Sequence, residues 1–456
     1  MKRIFIPFLL ILAVGFFSIS CDSDDDNTQQ VSFDYEQYGE TFTNMPSKED
    51  AIIYQVNITS FSDEGTLNAV TANLQHIKNL GANVVYLMPI YPIGEVNSIG
   101  SPYSVKDYTS VNPNLGTLAD LRTLVETAHS LDMAVILDWV ANHTAWDHPW
   151  ITEHPEYYQQ DNEGNIISPP NTNYTDVAQL NYTMFNVREA MVDALAYWVY
   201  NTNIDGFRFD YADGMPFAFY SDGIAALRTI KNQEMLFLAE GDRTNHFDAG
   251  FDYIFGFNYY GALKTAFNSG NANGLQSSSE TAYSSVAETD RIVRYTTNHD
   301  VNHTDGTPNA LFGGQQGANA AFVLASYMRS VPFIYNGQEV GYNQQLTFFS
   351  PDPIDWSMAD YDVYAEYQKI LAFRQNSEAL KTGTFTGYSN GSVVAFTMET
   401  TTETVLVMVN VANNNTTYTL PEGLSQTGWV DAYSGTDFTT DGTVALAPYQ
   451  YIVVHN

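Results

Sequence analysis

"GFRFDYADG", residues 206–214, opens like a buried strand but has charges set into it. Side chains alternate along a strand, so Phe207 and Phe209 share one face while Arg208 and Asp210 share the other. Ionised groups aimed into a protein interior need partners there or a task. The stretch sits in a series of similar apolar runs: 51–56, 83–90, 133–140, 206–210, 235–240, 253–258, 292–298 and 332–337. Helix-like amphipathic segments lie between them, for example 67–80, 117–131, 185–201 and 318–329. Strand followed by helix, eight times over, predicts a parallel sheet closed into a barrel. A doubly wound open sheet is the alternative, but no Gly-rich dinucleotide turn supports it.

The expected fold class is therefore α/β: a (β/α)8 TIM barrel over residues 46–142 and 185–378, with two additions. Residues 143–184, rich in Trp, His, Pro, Asn and Tyr, form a small excursion domain after the third strand, since so long a connection is usually functional. Residues 379–456 change texture to short β-branched runs between Gly, Asn and Thr turns, which predicts a C-terminal antiparallel β-sandwich.

The chain of 456 residues carries a formal net charge of −34, from 18 basic and 52 acidic residues. Such a surface repels phosphate backbones, which argues against a nucleic-acid partner. Lys2 and Arg3 precede an apolar run over 4–17 that is short for a membrane span, so residues 1–20 read as a processing signal. Cys21, the single cysteine, follows at once and resembles a bacterial lipoprotein attachment site. The acidic segment that begins "DSDDDNTQQ" reads as a linker over 21–45 and resembles an export tag for the cell surface. These features predict an outer-membrane lipoprotein of the cell envelope, or else a secreted protein, and a monomer is expected.

Three acids each end a predicted barrel strand: Asp210, Glu240 after "MLFLA", and Asp300 just past "RYTTNH". Strand C-termini build the active site of such barrels, so these carboxylates are expected in one pocket. Crowding them shifts their proton affinities apart, which suits glycoside hydrolysis: one ionised carboxylate attacks while one protonated carboxyl delivers a proton. Arg208 would keep Asp210 ionised and oriented. Asp138, Asn142 and His143 in "DWVANH", His299 in "NHD" and Tyr103 in "SPYSVKDY" converge on the same rim. The two histidines lack the close spacing of a metal pair, so donation to sugar hydroxyls fits them better.

"DWVANH", "GFRFD", "FLAEGD" and "TTNHD", in that order and spacing, resemble the four signature regions of the α-amylase family, glycoside hydrolase family 13. The resemblance runs from about residue 50 to the end. It implies Asp210 as nucleophile, Glu240 as general acid/base and Asp300 as transition-state stabiliser. It further implies sugar binding by Tyr103, His143, Arg208, His299 and Asp138, the last helping to hold the arginine. The implied reaction is retaining, endo-acting cleavage of α-1,4-glucosidic bonds in starch or maltooligosaccharides. Asn142 matches a usual calcium ligand, whereas Gln179 stands where relatives often carry a ligating aspartate; the donor set counts against the calcium the resemblance implies. "YADGMP" places Asp213 and Gly214 where α-1,4-specific relatives often show a lysine–histidine pair, leaving bond preference open. A transglycosylase of the same family and a non-catalytic starch-binding protein relying on Trp146 and Trp150 are the competing readings.

Overall fold

The structure is a computed structural model describing residues 33–230, 234–347, 349–425 and 428–456. The signal expected over residues 1–20 and the attachment residue Cys21 lie outside the described residues. Strands β1 (Ile53–Val56), β2 (Val84–Leu87) and β3 (Ala134–Trp139) lead into a ribbon, β4 (His143–Ala145) and β5 (Val177–Gln179). Strands β6 (Gly206–Phe209), β7 (Leu236–Ala239), β8 (Tyr253–Phe255), β9 (Arg291–Tyr295) and β10 (Val331–Tyr335) follow. All but β4 and β5 join one closed parallel barrel, in the order β1-β10-β9-β8-β7-β6-β3-β2. Their residues are almost all buried, as expected of strands with side chains inside and helices outside. The eight runs read from sequence are the eight barrel strands.

Register sets the site. Asp138 on β3 lies beside Arg208 on β6, which lies beside Leu238 on β7, so these three sit at one height in the barrel. Gly206 makes the approach of β6 to β7 possible: a Cβ there would fall 1.8 Å from the Leu236 carbonyl oxygen.

The outer helices follow local rules. Helix Leu118–Ser130 starts at a capping box between Thr117 and Asp120 and buries Leu121, Leu124, Val125 and Ala128. The segment expected as one helix over 67–80 is two, Leu67–Ala72 and Leu74–Leu80. Asn73 divides them at φ −110° and ψ 6°, its side-chain amide donating to Ala69 O at 2.8 Å. An asparagine side chain competes for backbone partners and so interrupts helices.

Residues 33–45, expected within the acidic linker, are packed instead. Phe42 is buried and stacks on His129 with ring centroids 4.3 Å apart, and Tyr35 donates to Asp193 at 2.9 Å. Single aromatic anchors hold this segment to the helices Leu118–Ser130 and Phe185–Thr202.

Beyond the barrel, β11 (Thr384–Gly387), β12 (Val393–Glu399), β13 (Thr404–Asn410), β14 (Thr416–Thr419), β15 (Trp429–Asp431), β16 (Asp437–Phe438), β17 (Thr443–Leu446) and β18 (Tyr451–His455) are antiparallel. Six of them form a sheet in the order β11-β12-β13-β18-β15-β16, and β14 with β17 forms a ribbon. Alternation along β12 divides the core: Val393 and Ala395 pack with Tyr418 and Leu446 of the ribbon, while Val394, Phe396 and Met398 join the barrel core.

Candidate active site

Arg208 is 1% exposed and organises the barrel mouth. Its Nη1 donates to Asp138 Oδ1 at 2.6 Å and to Asp210 Oδ1 at 3.0 Å, and its Nη2 lies 2.8 Å from Glu240 Oε1. One guanidinium therefore ties together carboxylates from β3, from the end of β6 and from the end of β7. This answers the charges in "GFRFD": they face the barrel axis and partner one another there. Removing the arginine would leave buried charge uncompensated, which costs several kcal/mol, roughly 3–5, at such sites.

Asp138 is saturated. Its Oδ2 accepts from the Tyr86 hydroxyl at 2.6 Å and the Tyr103 hydroxyl at 2.9 Å, while Arg208 holds Oδ1. Asp138 and Arg208 were expected among the sugar-binding residues; both instead lie beneath the floor and do not line the cleft. The Asp138 carboxylate is taken up by Arg208, Tyr86 and Tyr103, and the two terminal nitrogens of Arg208 by Asp138, Asp210 and Glu240. Tyr103 does line the cleft, with its ring stacked on His299 at 5.6 Å and 17°.

His299 is oriented from below by Gln55 on β1, a residue the sequence reading passed over. Gln55 Nε2 lies 2.8 Å from His299 Nδ1, and Gln55 Oε1 accepts from His299 N at 3.3 Å. An amide nitrogen only donates, so Nδ1 accepts and the ring proton sits on Nε2, 2.7 Å from the Tyr103 hydroxyl. Nε2 also lies 3.4 Å from Asp300 Oδ1, which brings the third acid to the same rim. A lone polar residue inside "AIIYQV" was the available signal, by the logic that flagged Arg208.

Asp210, Glu240 and Asp300 line one cavity of about 480 Å³, together with Tyr103, His143 and His299. The sequence-distant acids thus meet as expected. A second cavity of about 200 Å³, lined by Arg291, Arg329 and Phe385 at the C-terminal sheet, holds none of them.

Burial pushes the Asp210 carboxyl well above the usual carboxylate range; Glu240 adds to this and Arg208 opposes it. Burial likewise raises Glu240, against the opposing pull of Arg208. His143 is pushed down to about 4 by burial, against a hydrogen bond to the Tyr103 backbone. It is therefore neutral near pH 7 and suited to hydrogen bonding rather than to carrying charge.

Tyr211, next to Asp210, is a non-glycine residue at φ 47°. That left-handed conformation is strained. Its backbone N–H donates to Glu240 Oε2 at 2.7 Å, so the turn after one acid holds the next. Asp213 lines the cleft, with Oδ1 2.8 Å from His246 Nε2. Gly241 permits this pair, because a Cβ there would fall 2.4 Å from Asp213 Oδ1. Exposed Ile99, Tyr174 and Phe349 add an apolar rim that gave no sequence signal.

Comparison with known proteins bears on this arrangement. Residues 21–174 match "Alpha amylase, catalytic domain" and residues 384–453 match "Maltogenic Amylase, C-terminal domain". α-Amylase MalA of Haloarcula japonica is 27% identical over 419 residues, covering 87% of this chain, which in turn spans 61% of that relative's length. A maltosyltransferase of Bifidobacterium animalis, acting by its name between α-1,4-glucan and maltose 1-phosphate, is 31% identical over 199 residues, covering 39% of this chain and 27% of its own. The crystal structure of an α-amylase from Lactobacillus plantarum is 26% identical and superposes with a TM-score of 0.82, over 90% of this chain and 99% of that one. With an α-amylase catalytic-domain match and a maltogenic-amylase C-terminal-domain match in the same order along the chain, and a backbone shared over nine-tenths of it, the chain is similar to the α-amylases in both its catalytic and its C-terminal part.

Proposed function

We propose that the chain is a retaining α-glucan hydrolase cleaving α-1,4-glucosidic bonds of starch or maltooligosaccharides, acting within the polymer. The observation that carries this reading is the single guanidinium holding Asp210 and Glu240, both of which face one cleft. In the first step an Asp210 carboxylate oxygen attacks the anomeric carbon. The bond to the leaving oxygen breaks and that oxygen takes the Glu240 proton. In the second step Glu240 removes a proton from water, the water oxygen bonds to the anomeric carbon, and the Asp210 ester is released. Asp300, His299 and His143 hydrogen-bond ring hydroxyls, and Tyr103 stacks against the sugar. Two inversions retain the α configuration. NMR of freshly released maltose should show the α anomer first, relaxing to the equilibrium mixture; an initial β product would overturn the reading.

Transfer to a sugar acceptor is the second reading, favoured by the maltosyltransferase match over 39% of this chain. Chromatography of products from maltotetraose separates the two, because transfer yields oligomers longer than the substrate. A non-catalytic starch-binding role fits less well: Trp150 packs among Tyr108, His148 and Tyr157 rather than presenting a glucan surface.

The enzyme is further proposed to work at the cell surface, attached to the outer membrane through lipid on Cys21. Lys2, Arg3, the apolar run over 4–17 and the acidic segment after Cys21 support this. Cys21→Ser should move the protein from the membrane to the soluble fraction. Recovery of that variant in membranes would sink the anchor.

A further inference from the structure

Where β3 gives way to the ribbon of β4 and β5, three oxygens converge on one side-chain nitrogen. Gln179 Nε2 lies 2.9 Å from Asn142 O, 3.0 Å from Asn142 Oδ1 and 3.1 Å from Leu180 O. Its Oε1 faces Asn142 Nδ2 at 3.4 Å. Turning the amide over would set its oxygen against three others, so the donor inventory requires the nitrogen inward. Both side chains are buried, and a buried amide with matched partners is worth keeping whereas an unmatched one is expensive.

Carbonyl oxygens gathered around a point are the donor set that hard cations take. Here that point is filled by an NH₂ group. Calcium takes roughly six to eight oxygens, usually with carboxylates among them. No carboxylate belongs to this set, and among the described residues no cluster of three or more acids, histidines or cysteines could hold a metal. The residues therefore do not fit the calcium that the family resemblance implies.

We propose that the Gln179 carboxamide stands in for a structural cation, pinning the end of the third barrel strand to the excursion ribbon by hydrogen bonds. The ribbon needs a tie, because β4 and β5 pair over three positions only, and so short a pair does not hold itself together. The tie also reaches the site. His143 is paired with Gln179 across the ribbon, and its Nδ1 lies 3.2 Å from Asn142 Nδ2. The clamp thus sets an active-site ring without a metal.

Melting temperatures of the full chain in excess EGTA and in excess calcium chloride test this, for wild type, Gln179→Met and Gln179→Asp. Wild type should melt at one temperature in both buffers. Gln179→Met, similar in length but without the amide donors, should melt several degrees lower in both. Gln179→Asp places a carboxylate among the same oxygens. It should melt low in EGTA and recover with calcium, and calorimetric titration should find calcium binding absent from wild type. If the aspartate variant does not fold in EGTA, wild type and Gln179→Met still decide the matter. Three results overturn the proposal: Gln179→Met melting with wild type, a calcium-dependent gain in wild type that Gln179→Met abolishes, or a folded Gln179→Asp indifferent to calcium.

Discussion

Asp210→Asn should stop turnover of maltooligosaccharides, lowering kcat on the order of 10⁶-fold, the scale for loss of a covalent nucleophile. Binding of the same sugars should persist, because the amide keeps the shape of the site and can still accept from Arg208 Nη1, now 3.0 Å from Asp210 Oδ1. A neutral amide cannot form the ester the first step requires. The same substitution should leave the protein as stable as wild type or more so. Burial and Glu240 raise the Asp210 carboxyl above its value in the unfolded chain. The folded state then binds more protons than the unfolded one as pH rises through that window, and stability falls with pH. An asparagine escapes this penalty. Calorimetry should find the variant's advantage at neutral pH, shrinking as the solution is acidified below the unfolded carboxylate range. A variant that still hydrolyses starch would refute the covalent route; one that folds but melts far below wild type would refute the electrostatic account.

The barrel was legible because its strands are buried on both faces, which turns each into a short continuous apolar run. Phe42 and Tyr35 leave no such mark, since isolated aromatic anchors in an acidic segment make no periodic pattern, and a docked segment of this composition reads as a linker. Asn73 broke a helix for a reason local to its side chain, which apolar spacing ignores. At the site, strand-end acids were legible because topology gathers strand ends whatever their separation in sequence. What stayed hidden depends on height and on backbone. Asp138 pairs with Arg208 in the barrel register and holds it, as expected, but does not line the cleft, so the direct sugar contact expected of it is not there. Tyr211 acts through an N–H that every residue but proline carries, so no side-chain pattern could mark it. Gln55 carries no charge, and a single amide in an apolar strand is a weaker mark than an arginine.

Glu240→Gln should lower turnover of maltooligosaccharides by roughly 10²- to 10⁴-fold, the range for losing one acid–base group. The leaving alkoxide of a sugar is too basic to depart without a proton, and glutamine has none to give. Substrates whose leaving group departs as a stable anion should be affected far less in the first step. A para-nitrophenyl maltoside should therefore still glycosylate Asp210, and the variant should then stall, with no base to deprotonate water. Azide needs no base, so it should release the stalled sugar as an α-glycosyl azide and restore turnover. The pH profile should change in step. Burial raises Glu240, so in wild type the alkaline limb of kcat/KM reports loss of that proton. The limb should vanish in the variant, whereas a merely structural role would leave it in place. Wild-type rates on maltooligosaccharides would remove Glu240 from the chemistry, and a β-glycosyl azide would move the nucleophile's role onto it. Either result would dissolve the division of labour between two carboxylates that share one arginine.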